Sequence, residues 1–305
     1  KRTLMKLTKL LMNPSKVDRL REKQKMTIND LYRTGIDILK SNNIEDPEFD
    51  ARCLIEASLN IDTTRFFMIR SQKAEEQIQK IYLNLIERRK NGEPLQYILG
   101  KWAFMDNEFF VGEGVLIPRP ETEMLVELAK DFLVANKAPV VVDFCSGSGC
   151  IAISIAKLFP KARVYAVEKY DEAFSYLKRN ITLNGIDNVF AVKGDIFDKN
   201  VIGGIIPDLI VSNPPYIISK EIKSLSDEVR NEPVTALDGG NDGYDFYRIL
   251  ADFGLKEYRQ NGTAMFVECG ETQGDYIKAL FSKYCDKCEV LYDFNGLQRI
   301  VTAFK

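Results

Sequence analysis

Ser212-Asn213-Pro214-Pro215-Tyr216 is the segment whose residue types most restrict the chemistry open to this chain. Two consecutive prolines remove two backbone donors and hold the chain extended, so carbonyl oxygens are left free to face a ligand. The Asn213 side chain adds an acceptor and a donor, and Tyr216 adds a flat ring face and a hydroxyl. Such a set suits a planar –NH2 group, whose nitrogen is a poor nucleophile because its lone pair is delocalised. If the Asn213 oxygen and the Pro214 carbonyl each accept one N–H, that nitrogen is held in one orientation. Acceptors that draw on both protons also favour the positive charge that develops on it. Positioning of this kind lowers a barrier by up to about 7–11 kcal/mol. The chain has no histidine, which excludes Ser-His-Asp and Cys-His catalysis and His-ligated metal sites. We expect no metal.

A second segment could hold a nucleotide. The strand-like run Val140-Val141-Val142-Asp143-Phe144 leads directly into Cys145-Ser146-Gly147-Ser148-Gly149. Glycine lets the backbone turn sharply and lets a ligand approach the main chain. Gly147 to Ala152 also fits the dinucleotide pattern G-x-G-x-x-A, so NAD and S-adenosylmethionine are both open here, as is a strand-to-helix turn with no ligand. Glu168 ends the next strand-like run and could accept from both ribose hydroxyls of either cofactor. Asp195 could accept from an adenine amine while Ile196 or Phe197 packs on the ring, although an apolar residue here serves a core equally well. The Asn213 segment favours the methyl donor. An amide lone pair held by two acceptors can be aimed at a sulfonium methyl for in-line transfer, whereas a nicotinamide enzyme gives no reason for that segment.

These segments need strands to position them. From Pro139 onward, strand-like runs (140–144, 163–168, 189–192, 208–212, 263–268, 289–293 and 299–304) alternate with helical patterns at roughly 150–158, 171–183, 243–260 and 272–284. That alternation predicts a largely parallel sheet covered on both faces, with ligands beyond the carboxyl ends of its strands. Residues 95–117 read as a short β-hairpin, and a helix follows from about Glu121 to Ala135. Residues 26–90 read as helical, with apolar side chains at Leu31, Ile38, Leu54, Ile55, Ile81 and Leu85. We expect a basic extension over 1–25, a helical domain over 26–90, a hairpin linker over 91–118 and the catalytic domain over 119–305.

Composition fits a globular protein, and no apolar stretch approaches bilayer length. The apolar run Leu10-Leu11-Met12 is too short for a secretory signal, so we expect a cytoplasmic protein and, by default, a monomer. Residues 1–25 hold nine Lys/Arg against two Asp/Glu, while the rest of the chain is about −9. An acidic body argues against direct nucleic-acid binding; the leading arm could touch RNA or an acidic partner, or be a solvated or frayed tail, which is the preferred reading. Cys285 and Cys288 form a lone C-x-x-C without the second pair a structural zinc site needs, and are read as ordinary thiols.

The chain closely resembles the release-factor glutamine methyltransferases, the HemK/PrmC family. The resemblance runs through Glu93-Pro94-Leu95-Gln96-Tyr97-Ile98-Leu99-Gly100 and Leu116-Ile117-Pro118-Arg119-Pro120-Glu121-Thr122-Glu123. It continues through the glycine loop, Glu168, Asn213 to Tyr216, Glu232-Pro233, Gly239-Gly240 and Tyr292-Asp293-Phe294. It covers most of residues 27–305. It implies a Rossmann-like seven-stranded α/β methyltransferase domain dependent on S-adenosylmethionine, with a small N-terminal helical domain that docks the substrate and a β-hairpin linker. It implies a role in translation termination, through methylation of the glutamine side-chain nitrogen in the Gly-Gly-Gln motif of a peptide-chain release factor, with S-adenosylhomocysteine as product. Cys145 to Gly149, Glu168, Asp195, Ile196 and Asn213 would contact the cofactor, with Arg119 and Pro120 bordering its pocket. Asn213, Pro214, Pro215 and Tyr216 would hold the glutamine. The chain departs from the family at Cys145, where glycine is usual, at Glu168, where aspartate is commoner, and at Ile196, where an aromatic is frequent. A ribosomal-protein glutamine methyltransferase, a nucleic-acid amino-methyltransferase and a non-catalytic binding protein on the same fold are the alternatives.

Overall fold

A computed structural model describes residues 26–257 and 262–304, which divide into two units between Leu99 and Gly100. The expectation for the basic arm at 1–25 lies outside the described residues, as does the end of the helix expected over 243–260. Among the described residues no helix is long and apolar enough to cross a membrane.

The first unit is helical: α1 (Ile28–Ser41), α2 (Pro47–Leu59), α3 (Thr63–Ile69), α4 (Glu76–Lys90) and α5 (Leu95–Leu99). Thr27 starts α1 with a capping box, its hydroxyl accepting from the Asp30 amide while the Asp30 carboxylate accepts from the Thr27 amide. Asp46 caps α2, where Pro47 stands in the first turn and no amide is missed. Leu31, Leu39, Leu54, Ile55, Phe66, Tyr82 and Ile86 make the core. Within it lies an ion pair, Arg89 Nε donating to Asp50 Oδ2 at 2.5 Å with both side chains more than nine-tenths buried.

The second unit opens with a hairpin, β1 (Lys101–Phe104) paired antiparallel to β2 (Asn107–Phe110), followed by α6 (Pro120–Leu133). Strands and helices then alternate: β3 (Val140–Phe144), α7 (Cys150–Leu158), β4 (Arg163–Glu168), α8 (Asp171–Leu183), β5 (Val189–Lys193) and β6 (Leu209–Ser212). After short helical turns come α9 (Asp227–Arg230), α10 (Asp245–Ile249), β7 (Ala264–Glu268), α11 (Gly274–Phe281), β8 (Lys287–Tyr292) and β9 (Gln298–Phe304). The seven strands lie in the order β5-β4-β3-β6-β7-β9-β8. All neighbours through β7 are parallel, and β9 is antiparallel to both β7 and β8.

Side chains alternate across the sheet and build a core on each face. Val141, Leu209, Val211 and Phe266 join Leu125, Ile151 and Ile155 on one face; Val142, Phe144, Ile210 and Met265 join Tyr247, Phe253 and Ile277 on the other. The helix expected over 243–260 is α-helical only to Ile249, then winds as a π-helix through Leu250–Lys256. Leu250, Ala251, Phe253, Gly254 and Leu255 are all buried, a wider face than an ordinary helical stripe presents. The strand order reverses between β3 and β6, so the carboxyl ends of these two neighbours open a crevice.

Asp143 is fully buried in β3 just below that crevice, and neither carboxylate oxygen meets a hydrogen-bond partner among the described residues. Burial pushes its carboxyl from 3.8 up to about 8.

Two expectations follow. Arg89→Leu leaves the Asp50 charge buried without this partner and should destabilise the helical unit by about 3–5 kcal/mol. Amide exchange in α1 and α2 would report it, and unchanged protection would contradict it. At Asp143 the folded chain keeps a proton that the unfolded chain releases near pH 4, so this contribution to stability is complete below that pH and lost as pH rises towards about 8. In urea titrations Asp143→Asn should lose less unfolding free energy between pH 5 and pH 8 than the parent chain. Equal losses would mean that Asp143 is already ionised throughout.

Candidate active site

The loop after β3 is built from residues in left-handed conformations: Cys145 at φ 59°, Gly147 at φ 55° and Gly149 at φ 83°. Glycine accepts this freely; Cys145 does so at a cost of roughly 1–2 kcal/mol. At Gly149 a Cβ would also stand 2.5 Å from Leu177 Cδ1, whose side chain would have to shift. Hydrogen bonds fix the rest of the loop. The Ser146 amide donates to the Val167 carbonyl (3.1 Å) and its hydroxyl to the Asp143 carbonyl (2.8 Å). Asn180 Nδ2 donates to the Ser148 carbonyl (2.9 Å) and also to the Phe110 carbonyl (3.1 Å), while its Oδ1 accepts from the Phe110 amide, so the hairpin and the loop share one clamp.

Glu168 ends β4 with its carboxylate largely buried. It accepts from the Gly147 amide at 2.9 Å and from the Tyr170 amide at 2.8 Å. Each oxygen retains a second acceptor position. Above the loop is open space: a Cβ on Gly147 would meet no atom within 4 Å. A cleft opens here beyond the ends of the strands. Cys145, Ser146, Gly147, Ser148, Glu168, Asp195, Ile196, Asn213, Pro215 and Arg119 all line it. Gly149, Pro214, Tyr216 and Pro120 do not stand in this wall; Pro120 opens α6 and borders a neighbouring groove.

Asp195 enters the cleft already engaged. Its Oδ1 accepts from the Phe197 amide (3.0 Å) and its Oδ2 pairs with Lys169 (2.8 Å). Burial pushes its carboxyl up, but Lys169 and the Phe197 amide outweigh that and hold it below the ordinary carboxylate value. Ile196 is buried in the core beneath, while Phe197 is half exposed on the wall and packs edge-on to Phe246 at 5.4 Å. The aromatic surface missing at Ile196 is thus supplied one residue later and from α10.

On the opposite side, Ser212 donates to the Phe144 carbonyl at 2.8 Å and joins the ends of β6 and β3. Asn213 then projects its side chain to α6. Its Nδ2 donates to Thr122 Oγ1 at 3.2 Å, and Thr122 Oγ1 donates to Glu268 Oε2 at 2.6 Å. Glu268 ends β7 and is buried; desolvation pushes its carboxyl up to about 7, against the pull of the Thr122 hydroxyl. Among the described residues neither Asn213 Oδ1 nor the Pro214 carbonyl accepts a hydrogen bond. Behind Pro215, Gly239 packs so closely that a Cβ would stand 2.9 Å from the Pro215 carbonyl and 2.7 Å from Tyr216 Cα. Gln273 Nε2 donates to the Tyr216 carbonyl at 3.0 Å.

A buried carboxylate closes the remaining side. Glu232 Oε2 accepts from the Ile117 amide at 2.9 Å and its Oε1 accepts from Arg119, tying the loop before α6 to the segment through Ala236 that also lines the cleft. Thr122, Glu268, Glu232, Lys169, Asn180 and Phe246 are the site residues that sequence reasoning missed. Glu268 carried a usable signal, an acid at a strand's carboxyl end just as at Glu168. Thr122 sat inside the Leu116 to Glu123 block without a role. Glu232 likewise sat in the Glu232-Pro233 match without a role, and Asn180 gave no signal, because its partners are far away in sequence.

Residues 30–100 match the family model described as PrmC N-terminal domain, and residues 125–236 match the TRM5/TYW2 methyltransferase domain. The release factor glutamine methyltransferase of Thermodesulfovibrio yellowstonii is 38% identical over 261 residues, spanning 84% of this chain and 92% of that protein. That of Geobacter sulfurreducens is 37% identical over 266 residues, spanning 86% and 91%. Among solved structures, the hMettl16 catalytic domain in complex with MAT2A 3'UTR hairpin 1 aligns with a TM-score of 0.52 at 14% identity, over 78% of this chain and 84% of that one. That likeness is one of fold. The identity to the two bacterial proteins, extending along nearly the whole of each, places this chain in the release factor glutamine methyltransferase family.

Proposed function

We propose that this chain methylates the side-chain amide nitrogen of the glutamine in the Gly-Gly-Gln motif of a peptide-chain release factor, with S-adenosylmethionine as methyl donor. The observation that carries this reading is the hydrogen bond from Asn213 Nδ2 to Thr122, which turns Asn213 Oδ1 away as an open acceptor beside the unengaged Pro214 carbonyl.

The cleft fits the donor. Glu168 offers its remaining lone pairs to ribose hydroxyls, Gly147 leaves room for close approach, and Ile196, Phe197 and Phe246 give an apolar wall for an adenine. Asp195, with Cys145, Ser146 and Ser148, completes that proposed set, and Arg119 borders it. Gly149 contributes by shaping the loop, and Pro120 by fixing the start of α6 behind Arg119. When bound, S-adenosylmethionine supplies an electrophilic methyl group on sulfur.

The protein's own contribution is positional. Asn213 Oδ1 and the Pro214 carbonyl each accept one N–H of the glutamine amide, which fixes the plane of the nitrogen and favours positive charge on it. Pro215 keeps that backbone extended, and the Tyr216 backbone, pinned by Gln273, holds the far end of the segment still. As the S–CH3 bond breaks and the N–CH3 bond forms, the nitrogen becomes cationic and strongly acidic and gives up one N–H proton to water, so no histidine base is needed. The helical unit before Leu99 serves to dock the release factor.

Incubation with labelled S-adenosylmethionine should place label on purified release factor but not on a variant whose Gly-Gly-Gln glutamine is alanine. Equal label on both would exclude this residue as the acceptor. Asn213→Ala should cut turnover by about 100-fold or more, with donor affinity changed only a few-fold. Glu168→Ala should instead weaken donor binding at least about tenfold, as expected when an acceptor carboxylate is removed, and calorimetry would read it. Donor binding as in the parent chain would refute the role given to Glu168.

A further inference from the structure

We propose that Thr122 and Glu268 are positioning residues that decide which end of the Asn213 carboxamide faces the substrate. This inference rests on the reading that Asn213 holds the glutamine amide.

A hydroxyl has one proton to give. Glu268 as a carboxylate can only accept, so Thr122 must spend its proton on Glu268 Oε2 and can only accept from Asn213. That forces Asn213 to present Nδ2 to Thr122 and Oδ1 to the cleft. The order of the relay is thus set at its buried end. A protonated Glu268 removes that constraint and opens the reversed order. The acid would donate to Thr122 Oγ1, the Thr122 proton would turn to Asn213, and the Asn213 oxygen would be drawn inward. Two N–H donors, from Asn213 and from the glutamine, would then face each other across the cleft.

The surroundings of Glu268 keep the two states close in energy. Cys150, Tyr216, Cys269 and Tyr247 are near enough to feel its charge, and Tyr247 donates to the Glu268 backbone carbonyl at 2.8 Å. The charges that act on it are Glu121 and Arg119 at the start of α6 and Arg299 in β9. The two guanidinium groups favour the carboxylate, whereas Glu121 and burial oppose it. A buried acid whose carboxylate has a single hydrogen-bonded neighbour among the described residues therefore holds the switch, and the competent state is the ionised one. The reaction should weaken as pH falls.

The test is the single-turnover rate constant for methyl transfer to release factor from pH 8.5 to 5.5, with donor affinity measured on every variant to establish that it is folded. Thr122→Val removes the hydroxyl at nearly constant shape and should slow transfer about 10- to 100-fold at unchanged donor affinity. Thr122→Ser restores the hydroxyl and should return the rate to within a few-fold of the parent chain. Glu268→Gln cannot ionise and should abolish the fall in rate towards acid pH. Asn213→Ala is the reference: if it stays active, the underlying reading fails and this inference with it. If Asn213→Ala is inactive while Thr122→Val stays within twofold of the parent, the inference alone is wrong. Thr122→Ser as slow as Thr122→Val, or an acid limb that survives in Glu268→Gln, would also overturn it.

Discussion

A primary carboxamide has two ends of nearly the same shape and opposite hydrogen-bonding sense. In this site the Asn213 amide lies between a substrate cleft and the buried hydroxyl of Thr122, and only one of its two orientations leaves an acceptor for an incoming N–H. The hydrogen bond from Asn213 to Thr122 therefore constrains everything the cleft can do. It draws on three separate pieces of chain, the end of β6, the first turn of α6 and the end of β7. The sheet must place all three before the site exists.

The doubly covered sheet supplies that placement. Parallel pairing of β3, β6 and β7 puts Cys145, Asn213 and the Glu268–Cys269 junction at one edge of the sheet. The reversal of strand order between β3 and β6 opens the crevice there. The loops at this edge are tied down by polar side chains from elsewhere in the chain. Glu168 grips the glycine loop, Glu232 grips the loop before α6, and Asn180 joins the hairpin to Ser148. The left-handed Cys145 is tolerated because the amide, hydroxyl and carbonyl of Ser146 next to it are each hydrogen-bonded and fix the turn.

Much of this was legible in the sequence. Strand-like runs such as 140–144 and 208–212, largely apolar, announce strands buried on both faces, and the structure's Val140–Phe144 and Leu209–Ser212 agree closely with them. The glycine loop, Glu168 and the Asn213 segment stand at strand ends as the alternation required. What stayed hidden depends on tertiary pairing. Nothing local to Thr122 says that it meets a strand end 146 residues later at Glu268. Nothing local to Asp195 says that Lys169 holds its carboxylate, and periodicity read the Leu250–Lys256 segment as α-helix because wider winding leaves only a broadened apolar face.

The most direct test is a crystal structure of the chain with S-adenosylhomocysteine and a peptide carrying the Gly-Gly-Gln motif. The account predicts that the glutamine Nε2 lies within hydrogen-bonding distance, about 2.7–3.2 Å, of both Asn213 Oδ1 and the Pro214 carbonyl, with Asn213 Nδ2 still on Thr122. A glutamine nitrogen held elsewhere, or an Asn213 whose amide nitrogen faces the substrate oxygen instead, would contradict it.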